Sequence, residues 1–333
     1  MTTAPTDLPS ADADSPVDHD VAVVGGGAAG LAAAVFTARY GLETTVFDSG
    51  KAAITQCAHI ENYLGFPGGV SPERFLALGR SHATHEGAAV IDERVTAVRQ
   101  HDAGAFVVQT TDREAVADRV IVAAAYDGDI LAPMAEELPE PAPFALTEAG
   151  RTDVDGLYVA GWMSHETVHQ VGVNAGHGAR VGIALARDDM GERYWPAVGE
   201  RYVDWVVHEG RYGGDNWDEH VEEWFDREMR PADGSVDPDR LEAACEDLKG
   251  EFLGRRVDDA ECAERERRGQ RLLLEQLDDE VVQKYARSLD ACKKSSTESW
   301  GADGTGDSTE REGSGDVDRP NAASEADDGG SYR

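Results

Sequence analysis

An α/β fold built on a mainly parallel sheet is predicted by two features of this sequence. Residues 20–190 alternate β-branched runs with Ala-rich runs of helical period. The first strand-like run passes straight into a glycine-rich turn and then a helix-like run, in Asp20-Val-Ala-Val-Val-Gly-Gly-Gly-Ala-Ala-Gly30. Strands are expected at 20–25, 44–48, 88–91, 95–99, 105–110, 118–124 and 156–160, and helices at 28–40, 72–86 and 170–187. The helices cover a parallel sheet, and a small antiparallel sheet accompanies it. Val21 to Ala38 is uncharged and long enough to suggest a membrane span, but its three adjacent glycines and strand-then-helix pattern predict a buried βα unit instead.

Composition sets the surroundings of that domain. Residues 1–18 are rich in Thr, Ala, Pro and Asp and read as a disordered lead-in, and 19–190 form the α/β domain. Residues 191–293 turn to Trp, Arg, Glu and Leu with helical periodicity and read as a helical extension. In it Leu274, Leu277, Val281 and Tyr285 share one face, expected to be core packing. The aromatic residues Tyr194, Trp195, Tyr202, Trp205, Trp217 and Trp224 suit either a cover for the domain or a homodimer interface. Residues 294–333 carry Ser, Gly, Asp and Glu with almost no apolar side chain, and read as a disordered acidic tail.

The net charge is -34, with 65 acidic against 31 basic residues, and lysine is confined to Lys51, Lys249, Lys284, Lys293 and Lys294. Nucleic acid and anionic membranes need a basic footprint, so neither is an expected partner. Acid spread along the whole chain with lysine depleted throughout fits a protein that works in concentrated salt, where repulsion between carboxylates is screened. Four separated cysteines with no Cys-x-x-Cys, and no signal peptide, point to a reducing cytoplasm and leave neither a dithiol centre nor a zinc ribbon legible.

The glycine turn has the G-x-G-x-x-G spacing of a Rossmann-type dinucleotide site. Gly25 allows the tight turn, Gly27 lets backbone approach a pyrophosphate, and Gly30 lets helix and strand pack closely. The helix opening at Ala28 and Ala29 aims its free N–H groups and positive dipole end at phosphate. Asp48 ends the second strand at the distance expected of the acid that takes ribose hydroxyls.

Three further stretches carry a family resemblance. Ile60-Glu-Asn-Tyr-Leu-Gly-Phe-Pro-Gly-Gly69 resembles the I-E-N-Y-P-G-F-P segment of thioredoxin reductases. Thr152-Asp-Val-Asp-Gly-Leu-Tyr-Val-Ala-Gly161 resembles that family's second FAD motif, and His169-Gln-Val-Gly-Val-Asn-Ala-Gly-His-Gly-Ala-Arg180 the helix after it. The resemblance covers about residues 19–188. It implies FAD as cofactor, laid across the first βα turn, with Asn62 near the flavin and the backbone of Gln170 and Val171 against its pyrimidine edge. Gly161 belongs to the second motif, and Trp162 stands where the family places an Asp on the ribityl chain.

The pattern also departs from the family. The segment between the strand at Val120–Ala124 and the second motif is too short for an NADPH domain, and the dithiol that such a domain carries is missing. The family's A-T-G reads Ala123-Ala-Ala125. The expected function is therefore an FAD-dependent oxidoreductase with an unknown substrate and an external small-molecule or protein redox partner. No side chain is identified as its catalytic acid or base. A catalytically retired fold serving as an interaction module is the alternative. A third reading rests on His165-Glu-Thr-Val-His169, which matches the H-E-x-x-H zinc-hydrolase helix, with His177 as a conceivable further ligand. That chemistry needs both histidines on one helix face, whereas His165 falls in the loop before the expected helix, so no metal is expected. Cys57, between Lys51 and His59, is a candidate flavin-proximal thiol or an inert filler.

The salt reading predicts that the unfolding midpoint falls as salt is lowered from about 2 M to about 0.1 M, because the screening length lengthens past the spacing of surface carboxylates. A midpoint independent of salt in a thermal melt would rule it out.

Overall fold

The first strand, β1 (His19–Val24), takes the centre of the sheet because Val21, Ala22, Val23 and Val24 offer apolar surface to both faces. The computed structural model describes residues 18–298 other than 102–103, 126–127, 135–146, 148, 165, 205, 210–215 and 232–233. β1 pairs in parallel with β2 (Thr44–Phe47), which pairs in parallel with β3 (Ala89–Ile91). Helix α1 (Ala28–Arg39) connects β1 to β2, and α2 (Pro72–His85) precedes β3. Ser71 caps α2, its hydroxyl accepting from Arg74 N, with Pro72 at the first helical position.

On the other side of β1 runs the nine-residue β6 (Glu114–Val122), which serves two sheets at once. Its first half pairs antiparallel with β5 (Phe106–Thr110), which pairs antiparallel with β4 (Val95–Gln100). Its second half, Val120–Val122, pairs in parallel with β7 (Leu157–Val159). The expected small antiparallel sheet is thus continuous with the parallel one. Each expected strand and helix of residues 20–190 is present, with ends shifted by a few residues.

The sheet carries core on both faces. One side packs Phe47, Phe106, Ile130, Leu131, Met134 and Met163. The other packs Leu31, Val35, Val181 and Leu185 from α1 and the 23-residue α3 (Val171–Arg193). α1 and α3 meet backbone to backbone. A Cβ on Gly178 would lie 2.0 Å from the Ala29 carbonyl oxygen, and one on Gly182 would lie 2.6 Å from that of Ala33.

Beyond α3 come α4 (Pro196–Arg201), β8 (Val207–His208), α5 (Trp217–Glu228), α6 (Pro238–Gly254), β9 (Arg256–Val257) and α7 (Asp259–Glu275). β8 and β9 form a separate two-stranded parallel sheet. These elements build their own core of Trp195, Val198, Phe225, Met229 and Leu248 on Ala186 and Met190 of α3. The Trp195 indole N–H donates to the Met229 carbonyl at 2.7 Å and so satisfies the buried ring. The chain divides into two compact units, one ending at Gln276 and one beginning at Leu277, which holds α8 (Asp279–Glu298).

Several expectations change here. Leu274, Leu277, Val281 and Tyr285 are not core: they are 51, 44, 63 and 66% exposed. Nor do they share one helix, because α7 ends at Glu275 and α8 starts at Asp279. Periodicity reports that a helix has an apolar face, not that another element covers it. α3 runs through residue 190, and α8 extends to Glu298, past the expected start of the tail. Trp205, residues 1–17 and the rest of the tail from 299 lie outside the described residues. Val21–Ala38 divides into β1 and α1, and no described helix is long and apolar enough to cross a membrane.

The Gly178–Ala29 contact yields a stability prediction. Gly178→Ala places a methyl against backbone that cannot step aside and destabilises the protein by about 1–3 kcal/mol, read from urea unfolding. An unchanged midpoint would mean that α1 and α3 do not touch here.

Candidate functional site

Two helix N-termini from distant parts of the chain open into one cleft. At the first, Gly25 turns β1 into α1 with φ +110°, and a Cβ there would meet the Ala123 carbonyl oxygen at 2.6 Å. Gly30 lies so close that a Cβ would sit 1.9 Å from the Gly25 oxygen. α1 has Gly27 as N-cap with no side-chain cap, and its first intrahelical bond runs from Leu31 N to Gly27 O. The N–H groups before Leu31 therefore have no intrahelical acceptor, and Gly27, Ala28 and Ala29 line the cleft. Asp48, past the end of β2, is buried in its wall. Its Oδ1 accepts from Gly50 N at 2.9 Å and its Oδ2 from Arg80 Nη1 at 2.7 Å.

The second N-terminus is that of α3. β7 leads to Gly161, whose N–H donates to His177 Nδ1 at 3.0 Å, at the start of a short 3-10 turn, Gly161–Met163. Gln170 is the N-cap of α3 and again no side chain caps it. Its Oε1 accepts from Asn62 Nδ2 at 2.8 Å, tying the Ile60–Val70 bridge to the helix start. The Trp162 ring lies against that of His169, with centroids 4.2 Å apart. β7 is locked to α3 by Asp188, which accepts from the Tyr158 hydroxyl and from Arg151 Nε, each at 2.7 Å. Burial, reinforced by Asp188, pushes the Tyr158 hydroxyl well above the usual tyrosine range.

The cleft is about 320 Å³. Gly25, Gly27, Ala28, Ala29, Asp48, Gly161, Trp162, Gln170 and Val171 all line it. Gly30 and Asn62 do not: Gly30 packs behind the turn, and Asn62 acts through Gln170. Sequence reasoning missed Arg80, Arg94 and Asn174. Arg94 and Lys51 place two cations in a cleft whose carboxylate, Asp48, is already paired. Arg80 stands 32 residues from Asp48, and nothing local in the sequence signals the pair.

The hydrolase motif does not assemble. Residues 166–170 precede α3 and are not helical, so the spacing of His165 and His169 confers no common face; His165 itself lies outside the described residues. Glu166 Oε1 accepts from Val168 N, and His177 is turned to Gly161. Among the described residues no three His, Cys, Asp or Glu side chains group as metal ligands. Cys57 is exposed at the cleft's edge.

Ala125, also at the cleft, holds φ +58°, a left-handed conformation that a Cβ disfavours. Ala125→Gly is expected to stabilise the fold by about 0.5–1 kcal/mol in chemical denaturation, the relieved strain exceeding the added chain entropy. Destabilisation would show that the backbone there is not held left-handed.

Residues 19–125 match the pyridine nucleotide-disulphide oxidoreductase family. The thioredoxin reductase of Aquifex aeolicus is 35% identical over 107 residues, 32% of this chain and 33% of that protein. That of Treponema pallidum is 35% identical over 89 residues, 26% of this chain and 28% of that protein. The match thus spans about a third or less of the length of these curated relatives. Among solved structures, a thioredoxin reductase from Gloeobacter violaceus aligns with TM-score 0.51 at 17% identity, over 58% of this chain and 100% of that one, a likeness of fold. Over residues 19–125 the chain is thus similar to the pyridine nucleotide-disulphide oxidoreductases, thioredoxin reductases among them.

Proposed function

We propose that the cleft binds FAD and that the protein is an FAD-dependent oxidoreductase that takes its electrons from an external donor. One observation carries the reading: the Gly25–Ala29 turn and the Gly161–Val171 segment, far apart in the chain, line the same cleft with uncapped helix N-termini. The fit rests on Gly27, where a Cβ would meet only Ala52 Cβ at 3.8 Å and would otherwise take up room in the cleft, and on Lys51 and Arg94 facing a cleft in an otherwise strongly acidic chain. Both suit a ligand with a pyrophosphate.

In this reading Asp48 accepts the adenosine ribose hydroxyls, and the free N–H groups of α1 hold the pyrophosphate. The N-terminus of α3 stabilises negative charge at the far end of the cleft, and Trp162 with His169 shields that end from water. Asn62, through Gln170, holds the start of α3 in place. Bound FAD supplies the two-electron chemistry.

The relatives are thioredoxin reductases, but the usual dithiol route is not proposed for this chain. It has no Cys-x-x-Cys, and only residues 123–156, 34 in number, separate β6 from β7, too few for a second nucleotide domain. Oxygen, a quinone or a partner protein then accepts the electrons.

Protein purified in molar salt is expected to be yellow, to bleach with dithionite and to carry about one FAD per chain. Asp48→Ala should weaken FAD by roughly ten- to hundredfold. Colourless protein without affinity for FAD would end this reading in favour of an interaction module.

A further inference from the structure

We propose that Arg80 is a positioning residue that presets Asp48 for an unmodified adenosine ribose, so that the site selects nucleotides with a free 2′,3′-diol and rejects 2′-phosphorylated ones. The proposal rests on the nucleotide reading of the cleft and names the half of the ligand that confers selectivity.

Asp48 and Asp92 follow the carboxyl ends of adjacent parallel strands, β2 and β3. Arg80 bridges them: Nη1 donates to Asp48 Oδ2 at 2.7 Å and Nη2 to Asp92 Oδ1 at 2.6 Å. The Asp48 side chain is 9% exposed and that of Asp92 79%, so the guanidinium leans on a buried carboxylate and a solvated one. α2 brings Arg80 here by packing on α1 at Gly79, where a Cβ would lie 3.0 Å from Leu31 Cδ1. From the opposite side Gly26 closes on the same carboxylate: a Cβ there would lie 2.3 Å from Asp48 Cγ and Oδ2. Asp48 is thus held by Arg80, the Gly50 N–H and the missing side chain of Gly26. Each of its oxygens already accepts one bond and keeps a further lone pair for a ribose hydroxyl.

An arginine near the ribose acid can instead receive a 2′-phosphate. Arg80 is not placed to do so. It does not line the cleft, and both terminal nitrogens are engaged. Swinging it to a phosphate would strand a buried carboxylate beside a second negative group, and both the lost pairing and the repulsion oppose that.

The test measures affinities of the full chain for FAD, ADP-ribose, 2′-phospho-ADP-ribose and FMN, together with the unfolding midpoint, in wild type, Arg80→Gln, Arg80→Lys and Gly26→Ala. Wild type should prefer ADP-ribose over its 2′-phosphorylated form by about tenfold or more. Arg80→Gln should weaken FAD and ADP-ribose by about tenfold or more with any affinity for FMN unchanged, the midpoint showing that the variant is folded, and Arg80→Lys should recover part of the loss. Gly26→Ala, whose methyl would press on the Asp48 side chain at Cγ, Oδ2 and Cβ, should reproduce the selective loss even if Arg80→Gln fails to fold. Equal binding of the two ADP-riboses overturns the proposal, as does undiminished FAD affinity in both Arg80→Gln and Gly26→Ala. Wild type that binds ADP-ribose but not FAD would remove the flavin reading and leave this one standing. Wild type that binds neither removes both.

Discussion

The cleft depends on the backbone of one helical turn, Ala28–Leu31, being pressed between two glycine contacts. On one side Gly30 lies on the Gly25 carbonyl; on the other Gly178 of α3 lies on that of Ala29. Both contacts are backbone on backbone, so neither can be eased by a rotamer change, and close-packed interiors transmit such strain rather than absorb it. This clamp brings the N-termini of α1 and α3 to one cavity. Widening either contact by one methyl would move the two N-termini apart.

Electrostatics follow from the same placement. The chain carries -34, yet the cleft is lined by Lys51, Arg94 and a carboxylate already neutralised by Arg80. On the exterior, arginines are shared between acids: Arg39 bridges Glu86 and Asp204, and Arg119 bridges Asp189 and Glu192. Of these partners Glu192 is 70% exposed, and its pairing contributes little and is screened by salt. The pair that fixes a wall of the cleft is Asp48 with Arg80, while Asp188 with Tyr158 and Arg151 ties β7 to α3.

The parts legible beforehand are those where function needs a local pattern. The βα turn requires glycines at fixed offsets, so Gly25, Gly27 and Gly30 declared the first half of the site, and Asp48 followed from strand length. β4, β5 and β6 were legible from β-branched runs, although the double pairing of β6 was not, because register depends on what lies alongside. The extension was legible as helical but not as packed or exposed: Trp195 and Phe225 are core, whereas Leu274 and Tyr285 are bare.

The sequence alone determined the α/β class, the order of elements from β1 to α3, and the glycine-rich βα turn, because each follows from spacing within about twenty residues. Only the tertiary structure decided that Asn62 braces Gln170 and that Arg80 holds Asp48. Those outcomes rest on side chains 32 and 108 residues apart meeting in space. No local rule of spacing encodes that distance; it is set by how α1, α2 and α3 pack around the sheet.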